Sequence, residues 1–205
     1  MWSLQDKRFA IVVLMQDNNT WTVSHRFLEL HSRWLTLIGE HLEDDRGQIL
    51  EYWRIEKADS VIVLPIHIDC LLLPQPIYRP GIGQPTLDFP GGRIAAGQSV
   101  EQAAIITLQR ELEIEAIEIS QVIALNPEGW AVNSSFSNQR LFGMVASIVT
   151  SAPLPSDVIT YPVTKEGVNL LLQTLTCLQC RAVLLQWWYQ FSYGNFPIAI
   201  NPPNS

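Results

Sequence analysis

The sequence predicts an α/β sandwich, a mixed sheet with helices on its faces, preceded by a β-rich N-terminal segment. Three observations lead there. Residues 9 to 74 break into short apolar, β-branched runs separated by turn residues; a serine-capped apolar pattern follows a glycine pair at residues 91–92; and the leucine-rich run Val168 to Tyr189 has helical length. The chain of 205 residues allows one generous domain or two small ones. With 47% hydrophobic and 16% charged residues it is too apolar to remain unfolded.

Taken in order, Ala10 to Met15 reads as a buried strand, and Asp17-Asn18-Asn19 turns the chain into Trp21 to Val23. Trp34 to Ile38 and Ile49 to Ile55 flank the polar stretch Glu43-Asp44-Asp45-Arg46-Gly47, which predicts a hairpin closed by glycine. Val61 to Ile68 and Asp69 to Leu73 are apolar enough for central strands. Pro74 to Pro90 is a proline- and glycine-rich loop that leads to Gly91-Gly92, where the backbone can approach a ligand closely. Ser99 and Gln102 form a capping-box pattern, and Ala103, Ala104, Leu108 and Leu112 give the apolar side of a helix to about residue 115. Ile117 to Leu125 and Leu141 to Val149 read as strands around a polar loop. Ser151 to Pro162 reads as a connection, and Val168 to Tyr189 as a single helix followed by an aromatic tail.

Composition limits the function. The formal charge of -7, from 20 acidic and 13 basic side chains, disfavours a surface for phosphate backbones, so no nucleic-acid partner is expected. A small phosphorylated ligand remains compatible, because a metal ion can reverse the local sign. No apolar run approaches the ~20 residues that span a bilayer, so no membrane partner is expected. The three cysteines, Cys70, Cys177 and Cys180, are too few for a secreted disulfide framework, and a cytoplasmic setting is expected. Cys177-Leu178-Gln179-Cys180 has metal or redox spacing, but it falls inside the leucine-rich run and is expected to be core. His25, His31, His41 and His67 show no ligand pattern, and no serine nucleophile elbow is present.

The chemistry concentrates after the glycine pair. Glu111 and Glu115 are spaced i, i+4 and would stand one turn apart on one helix face, where like charges repel unless a cation compensates them. Mg²⁺, which takes carboxylate oxygens and bridges to phosphates, suits that role. Glu113 would point the other way, towards solvent.

The stretch from Gly91-Gly92-Arg93 to Arg110-Glu111-Leu112-Glu113-Ile114-Glu115 resembles a Nudix box. Upstream, Tyr78-Arg79-Pro80-Gly81-Ile82-Gly83 and Leu87-Asp88-Phe89-Pro90 are similar to the ADP-ribose and nucleotide-sugar pyrophosphatase branch of that family. The resemblance implies a Nudix-type α/β/α sandwich over residues 58–205, with residues 1–57 as an N-terminal segment that pairs subunits into a homodimer. The exposed-looking Trp21, Trp34 and Trp53 fit such a dimer. It implies Mg²⁺- or Mn²⁺-dependent hydrolysis of a nucleoside diphosphate linked to another moiety. Glu111, Glu115, the Gly91 carbonyl and Gln98 would hold the metal, Arg110 would orient the glutamates, and Arg79, Gly92 and Arg93 would contact substrate.

The departures from the family pattern are equally specific. Measured from Gly92, Arg110 lies four residues further on than in the usual box; Gln98 and Ile114 replace glutamates, and Ile117 replaces a glycine. The later loop Ser134-Ser135-Phe136-Ser137-Asn138-Gln139 carries amides where the family often places an acid, which leaves Glu128 as the nearest candidate base. These substitutions also motivate an alternative, a weakened Nudix-fold protein that binds a nucleotide or a protein partner without turnover.

Overall fold

A computed structural model describes residues 20–194 of the protein. The strand expected over Ala10 to Met15 and the end of the aromatic tail lie outside the described residues. The first three strands, β1 (Thr22–His31), β2 (Thr36–Glu43) and β3 (Ile49–Glu56), form an antiparallel meander. The expected polar hairpin joins β2 to β3. Asp44 Oδ1 accepts from the amides of Arg46 and Gln48, and Gly47 adopts φ 74°. Trp34, expected at the start of a strand, instead lies in the β1–β2 turn. There the Ser32 hydroxyl accepts from the amides of Trp34 and Leu35. Within the meander, Glu40 is buried between Arg54 (2.6 Å) and Arg26 (3.4 Å), and the Arg54 hydrogen bond holds its carboxyl below the usual carboxylate range.

The main sheet is organised around β4 (Ser60–His67), which pairs with three strands. It runs parallel to β11 (Arg140–Ile148) and antiparallel to β5 (Cys70–Leu73) and β8 (Gly91–Arg93). The Val63 amide adds a bond to the carbonyl of Pro90. Pro65, two residues on, faces the same edge in the gap between the β8 pairing, which ends at Ile62, and the β5 pairing, which begins at Ile66. A proline without an N–H is therefore tolerated in a central strand. The sheet is completed by β9 (Ile119–Ala124) and β10 (Trp130–Ala131) on β11 and by β12 (Ile159–Pro162) on β5. Two further short strands, β6 (Ile77–Arg79) and β7 (Gln84–Thr86), make a hairpin inside what reads in sequence as a loop.

Side chains of β4 alternate between two cores, as strand geometry requires. Val61 and Val63 pack with Ala103, Ala104, Leu108 and Leu112 of α1 (Val100–Leu112). Ile62, Leu64 and Ile66 pack with residues of α2 (Lys165–Thr174) and α3 (Leu178–Ser192), including Leu171, Val183, Leu184 and Trp187. The result is the expected α/β/α sandwich. Among the described residues no helix is long and apolar enough to cross a membrane.

Two helices differ from expectation. α1 has the predicted Ser99–Gln102 capping box but stops at Leu112, because Glu113 turns left-handed (φ 54°) and the Ile114 amide reaches back to the carbonyl of Leu108. Burial of Ile114 beside Leu108 and Leu112 supplies the apolar contact that accompanies such a cap. Glu115 is consequently off the helix. The expected helix over Val168–Tyr189 is two helices, broken by the extended Leu175, which is buried; Arg181 donates to the carbonyls of Leu172 and Leu175 at the break.

Gly167 at the start of α2 lies so close to β12 that a Cβ would come 2.2 Å from the carbonyl oxygen of Pro162. Gly167→Ala is expected to destabilise the protein by ~1–3 kcal/mol through forced separation of α2 from the sheet, read as a lower urea midpoint. An unchanged midpoint would contradict this packing.

Candidate functional site

The described residues enclose a cavity of ≈ 810 Å³ where the N-terminal meander, the glycine strand β8 and the α2–α3 junction meet. Its size is typical of small-molecule sites. Arg79, Gly91, Gly92 and Arg93, four of the residues singled out in the sequence, line it.

Each is held in a specific way. Arg79 pairs with Asp88 at 2.8 Å, and Thr86 donates to the same carboxylate oxygen, Oδ2. Arg93 stacks over Trp34 with 4.7 Å between guanidinium and ring centroid, and donates to the carbonyls of Arg33 and Trp34. Arg33 lies over Trp34 as well, at 4.5 Å. Trp34 lines the cavity and is 59% exposed. The Ser60 hydroxyl, whose residue also lines the cavity, is buried without a hydrogen-bond partner among the described residues.

The glycine strand is pinned from behind by α1. The Gly91 amide donates to Glu111 (3.2 Å), and Arg110 donates both to the Gly91 carbonyl (3.0 Å) and to Glu111 (2.6 Å). A Cβ at Gly92 would lie 2.9 Å from the Thr107 hydroxyl and 3.0 Å from Arg110, so a side chain there would force those groups to shift. The α1 face turned to the glycines therefore presents Thr107 and Glu111, one turn apart, and not Glu111 and Glu115. Thr107 is 2% exposed, and it stands where a second carboxylate would oppose the loop.

Of the metal ligands expected from the resemblance, Glu111 and Gly91 lie together, whereas Glu115 and Gln98 are engaged elsewhere. Glu115, beyond the helix end, accepts from the Gln109 amide group, and its own backbone N–H donates to Glu118. Gln98 accepts from the backbone of Ala95. The Gly91 carbonyl accepts from Arg110, a cation already in place. Glu128 is exposed and does not line the cavity; its carbonyl accepts from Arg140. Asn138 and Gln139 are braces: the Asn138 side-chain oxygen accepts from the Lys57 amide, and the Gln139 side chain donates to the Ala58 carbonyl.

Sequence reasoning missed Asp88, Cys177 and Cys180 as cavity residues. The helix break places Cys177 as the N-cap residue of α3 and Cys180 in its first turn. A hydrogen bond from Cys180 holds the Cys177 thiol down to about 6 against the opposing effect of burial. The same bond and burial push the Cys180 thiol up.

No protein-family model matches the chain. It is 29% identical over 157 residues to an ADP-sugar pyrophosphatase of Mus musculus, across 73% of this chain and 70% of the mouse protein. The crystal structure of an ADP compounds hydrolase shares the fold with a TM-score of 0.66 at 21% identity, covering 86% of this chain and 97% of that one. Both are Nudix-type, so the resemblance to the ADP-ribose pyrophosphatase branch holds well beyond residues 78 to 115.

The depressed Cys177 thiol has a direct readout. In chelator-treated, reduced protein, its alkylation by iodoacetamide should rise with pH through a midpoint of about 6. A midpoint in the ordinary thiol range near 8.5 would remove the Cys180 hydrogen bond as its cause.

Proposed function

From a Nudix-type chain similar to enzymes of ADP compounds, we propose that this protein binds a nucleoside diphosphate linked to another moiety, of the ADP-sugar kind, and hydrolyses its diphosphate. The supporting observation is the convergence of Arg79, Arg93 and the Gly91–Gly92 backbone on one cavity of suitable size. Two guanidiniums suit a diphosphate, because each can donate two parallel hydrogen bonds to phosphate oxygens. Arg93 is already oriented by Trp34 and two carbonyls, so little side-chain freedom is lost when a phosphate docks. Trp34 offers an exposed aromatic surface beside these cations, suited to a base or a sugar face.

The residues present fit Mg²⁺ or Mn²⁺ only as a companion of the bound diphosphate. Mg²⁺ keeps several waters and takes one or two carboxylates plus substrate phosphates, and Glu111 with the Gly91 carbonyl would hold it in exchange for Arg110. Such an ion would neutralise phosphate charge and acidify a bound water. Arg110 holds Glu111 aimed at the glycine strand until then.

The Arg110 contacts also favour a second reading, nucleotide binding without turnover, because one carboxylate already neutralised by arginine is a poor metal anchor. Incubation of ADP-ribose, nucleotide sugars and dinucleotides with Mg²⁺ or Mn²⁺ separates the two. Hydrolysis gives nucleoside monophosphate, lost in Glu111→Gln and raised about tenfold, or 1.4 kcal/mol, in Thr107→Glu, which adds the second carboxylate. Saturable calorimetric heat without product supports the second reading. Release that persists unchanged in Glu111→Gln would refute this metal assignment, and absence of both product and heat would refute the function.

The N-terminal segment, residues 1–57, is proposed to pair two copies into a homodimer in the cytoplasm. Leu30 and Trp53 are exposed on one face of the meander, an apolar surface that a second copy would cover. Light scattering at micromolar concentration should give the mass of two chains; the mass of one chain would overturn it.

A further inference from the structure

A second group of side chains lies on the α3 side of the cavity, and the proposed hydrolysis does not use it. Asp88, Cys177 and Cys180 each offer one ligand atom, and the three atoms lie within 4.8 Å of one another. We propose that Asp88, Cys177 and Cys180 form a binding site for a thiophilic divalent cation of the Zn²⁺ class, with a fourth coordination position open to the cavity.

The ligand atoms converge because of the fold. Cys177 and Cys180 are three residues apart at the start of α3, so they project from the same side of its first turn. The extended break after α2 brings that turn to the sheet, and Cys180 is buried in the core beside Val183 and Leu184. Asp88 is positioned by its neighbours in sequence, since Leu87 and Phe89 are both buried in that same core. Its two carboxylate oxygens have different partners. Oδ2 is held by Arg79 and by the Thr86 hydroxyl, which leaves Oδ1 directed at the Cys180 sulfur, 3.9 Å away. Such outer contacts are what orient a metal-binding carboxylate.

The donor set selects the ion. Two sulfurs and one carboxylate oxygen suit Zn²⁺, which takes thiolate and carboxylate ligands in tetrahedral geometry, and exclude Mg²⁺, which demands oxygen. Two thiolates, one carboxylate, Arg79 and a dication sum to zero charge, so the bound state leaves no unbalanced charge in a half-buried site. Three protein ligands with a fourth position on a ligand-sized cavity is the arrangement of a zinc that can accept water or a substrate oxygen.

The test uses the full chain, reduced and stripped of metal, titrated with Co²⁺ as an optical probe. One equivalent should produce sulfur-to-cobalt charge-transfer absorption and the intense visible bands of tetrahedral Co²⁺; Zn²⁺ should abolish them and excess Mg²⁺ should not. Cys177→Ser, Cys180→Ser and Asp88→Asn should each weaken Co²⁺ binding at least tenfold. Cys70→Ser and Glu111→Gln should leave it unchanged, which separates this site from the metal site proposed for hydrolysis. Circular dichroism of each variant identifies any that fail to fold, and the Asp88→Asn arm stands without altering either cysteine. Absence of thiolate charge transfer, its persistence in the Cys177→Ser/Cys180→Ser double variant, or a Cys177–Cys180 disulfide that persists under reductant would overturn the proposal.

Discussion

The structure depends on the burial of β4 between two helical layers. Six of its consecutive residues, Val61 to Ile66, are buried, and the aliphatic side chains among them divide between the α1 core and the α2–α3 core. Because a strand alternates strictly, a slip of one residue would exchange the two cores at once. That register also sets the height of the glycine strand, since Gly91 and Gly92 pair with Ile62 and Val61. The position of the candidate site is thus inherited from hydrophobic packing.

The glycine strand is a thin partition. On one side lies the cavity with Arg79, Arg93 and Trp34; on the other, α1 holds the strand by its backbone through Arg110 and Glu111. The absence of a side chain at Gly92 lets Thr107 and Arg110 of α1 come this close to the strand. One constraint therefore serves packing and recognition together, and it places a guanidinium where the family resemblance led us to expect a metal.

The N-terminal meander is a working part of the cavity. Ile55 bridges to Ser137, and the Lys57 and Ala58 backbones are tied to the Asn138 and Gln139 side chains. These contacts carry Trp34 to the rim. The Asn138–Gln139 amides, read in sequence as acids that had been lost, are hydrogen-bonding groups that can donate as well as accept, a capacity that ionised carboxylates lack.

Local rules made much of this chain readable. Alternation and β-branching marked β2 to β5, a serine three residues before a glutamine marked the start of α1, and the glycine pair with its flanking arginines marked the cavity wall. What could not be read depended on distant partners. The ends of α1 and α2 were set by burial of Ile114 and Leu175, which a periodic apolar pattern simply continues through. The glutamates of residues 111 and 115 share a face only if the helix persists, and the apolar pull on Ile114 ends it. Cys177 and Cys180 look like core in a leucine-rich run, until the helix break turns them towards Asp88, about ninety residues earlier in the chain. By itself the sequence determined where the central strands lie, where a helix must begin and which backbone must come bare to a ligand, because those depend on neighbouring residues. Only the tertiary structure decided which charges meet, because that depends on which apolar surfaces the folded chain must bury first.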